Sequence, residues 1–155
     1  MSFQGEIFAV RYIMPTESTL LPTSVESFTK LARFIEENKI ALFTTVTSDG
    51  TLHGRPLLTR DIDLAGHALW FFLASNFPKA EEWLQGREVG LAYVSSDKTG
   101  GYYSVSGRAQ VVHDKEKAEE LWTPGAATRF PTGADDPRLV LLRVEVEAVE
   151  FWDSP

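Results

Sequence analysis

Lys79 stands where a cation is disfavoured. Asn76 can cap a helix running through Leu84, with Pro78 in its first turn and Gly86 closing it. Glu81 and Glu82 suit the positive end of the helix dipole, and Lys79 opposes it. An anion seated between that ammonium and the free backbone N–H groups would remove the conflict. A Lys79 that points into water would need no such partner. The second candidate is Arg55-Pro56-Leu57-Leu58-Thr59-Arg60, within a run that reads as strand. Arg55 and Arg60 are an odd number apart, so a regular strand turns them to opposite sides. Pro56 cannot donate to a ladder, which predicts an edge or a bulge there. A distorted strand with an Arg on each side could cradle a phosphate; the plainer reading is two surface arginines. Trp152, in Glu150-Phe151-Trp152-Asp153, could serve an interface or simply close the fold.

Other patterns carry less. Ser95-Ser96-Asp97-Lys98 and Lys98-Thr99-Gly100 match two serine-hydrolase patterns but share one lysine, so they read as a polar turn. His53, His67 and His113 are scattered beside expected turns, without metal-ligand spacing. The chain has no Cys, which excludes disulfides, thiolate metal sites and cysteine nucleophiles. Trp70, Trp83 and Trp122 read as core residues.

The elements that must position these residues follow from periodicity. Residues 1–23 read as an N-terminal arm, with a possible short strand through Phe8, Val10, Tyr12 and Met14. Thr23 and Glu26 have capping-box spacing, and Val25, Phe28, Leu31, Ala32 and Ile35 form one helical face. Strands are expected from Ile40 to Val46, Thr51 to about Ile62, Ala68 to Leu73 and Val89 to Val94. Asp49-Gly50 gives the strongest hairpin signal. Ala68–Leu73 is apolar on both faces and should lie mid-sheet. A long strand after Gly100-Gly101, a helix capped by Asp114, a loop over 123–137 and a strand from Arg138 to Trp152 complete the chain. The pattern predicts a mainly β protein: a six-stranded antiparallel barrel with short capping helices.

The length of 155 residues suits one domain, here 24–155 after the arm. The net charge of −7 argues against nucleic acid and anionic membranes as partners. The N-terminus shows neither a basic leader region nor a long apolar run, so a cytoplasmic location is expected.

Several motifs in order complete a resemblance. They are Thr44-Thr45-Val46, Asp49-Gly50, Arg55-Pro56-Leu57, Leu69-Trp70-Phe71-Phe72, Lys79-Ala80, Val105-Ser106-Gly107-Arg108-Ala109, Glu120-Leu121-Trp122 and Phe151-Trp152-Asp153-Ser154-Pro155. From about Ser24 to Pro155 the chain resembles the FMN-binding split-barrel flavoproteins related to pyridoxamine 5′-phosphate oxidase, in the general stress protein 26 branch. The resemblance implies FMN as cofactor and a homodimer with FMN at the subunit interface. It implies that Arg55 and Lys79 grip the phosphate and that Leu57 and Leu58 lie along the flavin ring, with Pro56 and Arg60 in the same motif. It also implies that the strand carrying Phe72 and Leu73 meets the flavin through its backbone, and that Tyr102 and Trp152 lie near it. Pro78 replaces an Arg of the oxidases, and Tyr102 replaces a Gln. The oxidases continue into an Arg and His segment beyond the Trp, so pyridoxamine-phosphate oxidase activity itself is not expected.

The resulting expectation is an FMN-binding flavoprotein, an oxidoreductase of unknown substrate with a stress-related role. The alternative is a non-catalytic flavin-binding or storage protein. A relative holding a deazaflavin or haem, and a cofactor-free structural dimer, are weaker readings.

Overall fold

The computed structural model describes residues 21–75, 84–97 and 100–152. The expected arm strand, the helix bearing Pro78, Lys79 and Trp83, and Lys98-Thr99 lie outside them. So does the Asp153–Pro155 end.

Strand β1 (Leu21–Pro22) leads into helix α1 (Val25–Glu37), then β2 (Ile40–Val46), β3 (Leu52–Asp63) and β4 (Ala68–Ala74). After the second gap in description come β5 (Glu88–Val94), β6 (Tyr102–Val112), helix α2 (Lys115–Leu121), a 3₁₀ turn (Pro124–Thr128) and β7 (Leu139–Trp152). The sheet order is β1-β7-β4-β3-β2-β5-β6, every pairing is antiparallel, and a further β6–β7 pairing closes β2–β7 into a six-stranded barrel. The expected architecture is therefore present. The end of the arm joins it: Leu21 and Pro22 pair with Val149 and Ala148 on the β7 edge that β4 leaves after Glu145.

Helix α1 starts one residue later than the Thr23–Glu26 spacing predicts. Ser24 is the N-cap, and Ser24 and Ser27 satisfy each other's backbone N–H at 2.9 and 3.1 Å. Thr23 is used by the sheet instead, donating its hydroxyl to Val146 O at 2.7 Å. Val25 is consequently at the solvated start of the helix, 74% exposed, and not on its apolar face. Phe28, Leu31 and Ile35 plug the barrel, joining Phe43, Leu57, Phe71, Leu91, Val105 and Leu142 in one core.

A smaller cluster lies outside the barrel wall. Phe72 and Leu141 point away from the main core and are covered by Ala118, Leu121, Ala126 and Phe130. This explains why β4 is apolar on both faces: one face lines the barrel, and the other lies beneath α2 and the 3₁₀ turn. Trp70 and Trp122 pack at the margin of this cluster. At Gly107 a β-bulge brings β6 against β7; a Cβ there would stand 2.5 Å from Glu145 O. No helix among the described residues is long and apolar enough to cross a membrane.

Candidate functional site

The first part of strand β3 pairs with β2, from Leu52–Val46 to Leu58–Ile40. Its pairing with β4 starts only at Thr59, opposite Phe71, and then skips Arg60 to resume at Asp61–Trp70. Arg60 is thus the extra residue of a bulge, and among the described residues, positions 52–58 have no strand partner on that side, leaving an open edge. Of the two alternatives anticipated at Pro56, the edge is the one that occurs there; a bulge falls four residues later, at Arg60. Thr59 N–H donates to Lys39 O on the β2 side. Strand alternation therefore turns the main-chain groups of Pro56 and Leu58 towards the gap. The missing donor of Pro56 costs nothing there.

The split holds a recess of about 250 Å³ lined by Pro56, Leu57, Leu58, Arg60 and Phe72. Ile40, Arg129 and Phe130 complete its wall. Five of the ten candidate residues therefore meet in one concavity. Leu57 contributes little side chain, being 3% exposed in the core. Leu73 is a core residue whose side chain faces the barrel interior, so only its backbone remains available to a ligand.

Arg60 stacks its guanidinium over the Phe72 ring at 4.7 Å, and its Nη1 donates to Thr123 Oγ1 at 2.8 Å. Its Nε is buried without a hydrogen-bond partner. Arg55 lies about 16 Å away along the strand at ~3.3 Å per residue, on the face shared by buried Leu57 and Thr59. Arg55 Nη2 lies 2.9 Å from His53 Nδ1, and its Nε is likewise buried and unpartnered. Neither arginine contacts a carboxylate among the described residues. Burial lowers both pKa values, yet each group remains cationic at neutral pH. Arg55 and Arg60 do not converge on one point. Arg60 lines the recess and Arg55 does not.

Tyr102 and Trp152 are direct cross-strand partners on β6 and β7. Neither lines the recess, so within one chain they stand apart from the other candidates. Sequence reading missed Arg129 and Phe130. Their signal was available: a cation beside an aromatic in an otherwise Gly- and Pro-rich loop. Only the packing of that loop over Phe72, at 6.1 Å between ring centroids, brings them to the split.

A closed antiparallel barrel with a ligand-sized split between two strands defines a class of small binding domains. The chemistry of the residues fits a flavin nucleotide: Arg55 and Arg60 each carry an unpartnered guanidinium nitrogen, and the recess is lined mainly by apolar side chains. A family model described as pyridoxamine 5′-phosphate oxidase like matches residues 26–155, and the chain belongs to that family. Protein bli-3 of Neurospora crassa is 24% identical over 149 residues, covering 88% of this chain and 71% of that protein. The crystal structure of a general stress FMN/FAD binding protein from Xanthomonas citri is 25% identical, with a TM-score of 0.69 over 85% of this chain and 92% of that one. A general stress protein 26-related structure from Clostridium acetobutylicum gives 0.70 at 20% identity, over 84% and 91%.

Proposed function

We propose that this protein binds FMN in the split, with the phosphate at Arg55 and the ring over Leu57 and Leu58, and that it acts as an oxidoreductase on a small substrate. The carrying observation is that Pro56, Leu58, Arg60 and Phe72 meet in one recess, beside a stretch of β3 that β4 does not pair with. The names of the Xanthomonas and Clostridium proteins support a flavin ligand and a stress-related role. Bound FMN would supply hydride or electron transfer, and the protein would supply orientation and charge. Arg60 would hold its positive charge beside the ring, and the hydrophobic wall of Phe72 and Phe130 would limit water.

A second copy of the chain would complete the site. The outward positions of β2 and β3 form the pairs Ile40–Leu58, Leu42–Pro56 and Val46–Leu52, with no charge among them. Gly90 and Ala92 extend this face onto β5 without bulky side chains. The recess opens beside it, so a partner seated there would form its missing wall. A two-fold contact would repeat the arrangement and give two sites.

Saturable quenching of FMN fluorescence by purified protein tests the reading directly, and no quenching at micromolar protein would refute it. Arg55→Ala should weaken FMN about ten- to a hundredfold, the worth of a charge-assisted hydrogen bond. The described residues lining the recess include no His, Asp, Glu or Lys side chain to move a proton, which favours the storage alternative. Stopped-flow mixing with NADH and NADPH separates the two: fast flavin reduction indicates an enzyme, and inertness to both favours storage.

A further inference from the structure

Beyond the residues already assigned, one inward-facing hydroxyl has no structural explanation. Thr45 on β2 is 3% exposed, and its Oγ1 makes no hydrogen bond. Buried hydroxyls are nearly always paired, because leaving one unmade is costly. Thr45 is not held there for shape alone, since valine would fill the same volume without the penalty.

Its neighbours are informative. Thr45 pairs with His53, and the adjacent inward pair is Phe43–Arg55. Thr45 and Arg55 are thus diagonal neighbours on one face, a separation that a long side chain bridges. His53 Nδ1 lies 2.9 Å from Arg55 Nη2, and Arg55 Nε lacks a partner. Thr45 also borders a cavity of about 340 Å³ with Val46, Leu84, Gly86, Arg87, Glu88 and Arg108, in which Arg108 is already paired with Glu88 and Glu147. Arg87 forms no ion pair among the described residues. The unmet groups at this end of the barrel are the Thr45 hydroxyl and the Arg55 Nε–H, and two neighbouring donors without an acceptor suit an oxyanion.

We infer that Thr45 is a phosphate-recognising residue, donating its hydroxyl to a non-bridging oxygen of the group that Arg55 holds. This rests on the FMN reading and extends it, because it makes the phosphate end selective. FMN should be bound in strong preference to riboflavin, and Thr45 should contribute to that preference. It also assigns a cost: the hydroxyl destabilises the empty protein and is satisfied only when the phosphate arrives.

Thr45→Val and Thr45→Ser test the assignment with FMN, riboflavin and inorganic phosphate as probes. Thr45→Val should raise the FMN dissociation constant about tenfold or more and leave riboflavin unchanged. Thr45→Ser should stay close to wild type. Ligand-free Thr45→Val should melt at the same temperature or higher. The inference is overturned if Thr45→Val weakens FMN and riboflavin equally, if it leaves both unchanged, or if its ligand-free form melts lower. If wild-type protein ignores FMN but is thermally protected by inorganic phosphate, and Thr45→Val is not, the FMN reading fails and the anion assignment stands. If neither probe has an effect, both fail.

Discussion

On the outside of β4 and β7, Phe72 and Leu141 are buried under α2 and the 3₁₀ turn. On the outside of β2 and β3, Ile40, Leu42, Val46, Leu52 and Leu58 are equally apolar and stand between 39 and 70% exposed. The strands are built alike, with an inward face in the common core and an outward face rich in large hydrocarbons. The difference is that the chain folds back over one outer face and, among the described residues, leaves the other bare. An exposed contiguous apolar face on a small domain marks an interaction surface. The recess lies on the seam: Ile40, Pro56 and Leu58 belong to the bare side, and Phe72 and Phe130 to the covered side. One wall of the site is therefore intrinsic to the chain, and the other is where the proposed second copy would sit.

The largest expected effect breaks the covered side. Phe130 is 1% exposed and stacks edge-on against Phe72. Phe130→Ala should destabilise the protein by about 3–5 kcal/mol, read as a lower denaturant midpoint. A loss below about 1 kcal/mol would show that the outer cluster is a loosely attached flap, and the contrast between the faces would weaken.

The next effect sharpens the bare side. Leu42 is half exposed, so Leu42→Glu should change chain stability by no more than about 0.5 kcal/mol in a monomer, as surface substitutions do. A carboxylate buried against its copy should weaken dimerisation about a hundredfold or more. Sedimentation velocity at micromolar protein should then show monomer where wild type shows dimer. A dimer that survives Leu42→Glu would mean that the two copies meet elsewhere.

The same contrast explains how much was legible in the sequence. Strand periodicity, the Asp49-Gly50 turn and the two-faced apolarity of Ala68–Leu73 are local signals, and each led to the right element. The cap shifted by one residue because Thr23 and Ser24 are chemically equivalent candidates; only the pairing of β1 with β7 decides between them. The Arg55–Arg60 motif announced a distortion, but whether it would be an edge or a bulge depended on where β4 stops pairing. Arg129 and Phe130 carried only a compositional hint, for a stronger reason. They reach the site by loop packing across roughly 70 residues of sequence from Arg60, and no periodicity encodes that.

The smallest effect concerns the hairpin that sets the bare face's register. Asp49 accepts hydrogen bonds from the Thr47 hydroxyl and, at 3.0 Å, from Thr51 N–H, while Gly50 takes a positive φ of 86°. These bonds lower the Asp49 pKa from 3.8 to about 2. A carboxyl depressed in the folded state stabilises above its unfolded pKa, and that contribution disappears as pH falls through the folded value. Wild-type stability should therefore fall more steeply than that of Asp49→Asn between pH 3.8 and about 2, and the two should run parallel at neutral pH. Because β2 and β3 pair in register from Val46–Leu52 onward, loosening this turn acts on Ile40–Leu58 and Leu42–Pro56 before it reaches Phe72 or Leu141. Hydrogen exchange at acid pH should accordingly rise first at β2 and β3 in wild type. A uniform rise across β4 and β7 would show that the two outer faces are one cooperative unit, and that the bare face is stabilised by the barrel as a whole and not by its own turn.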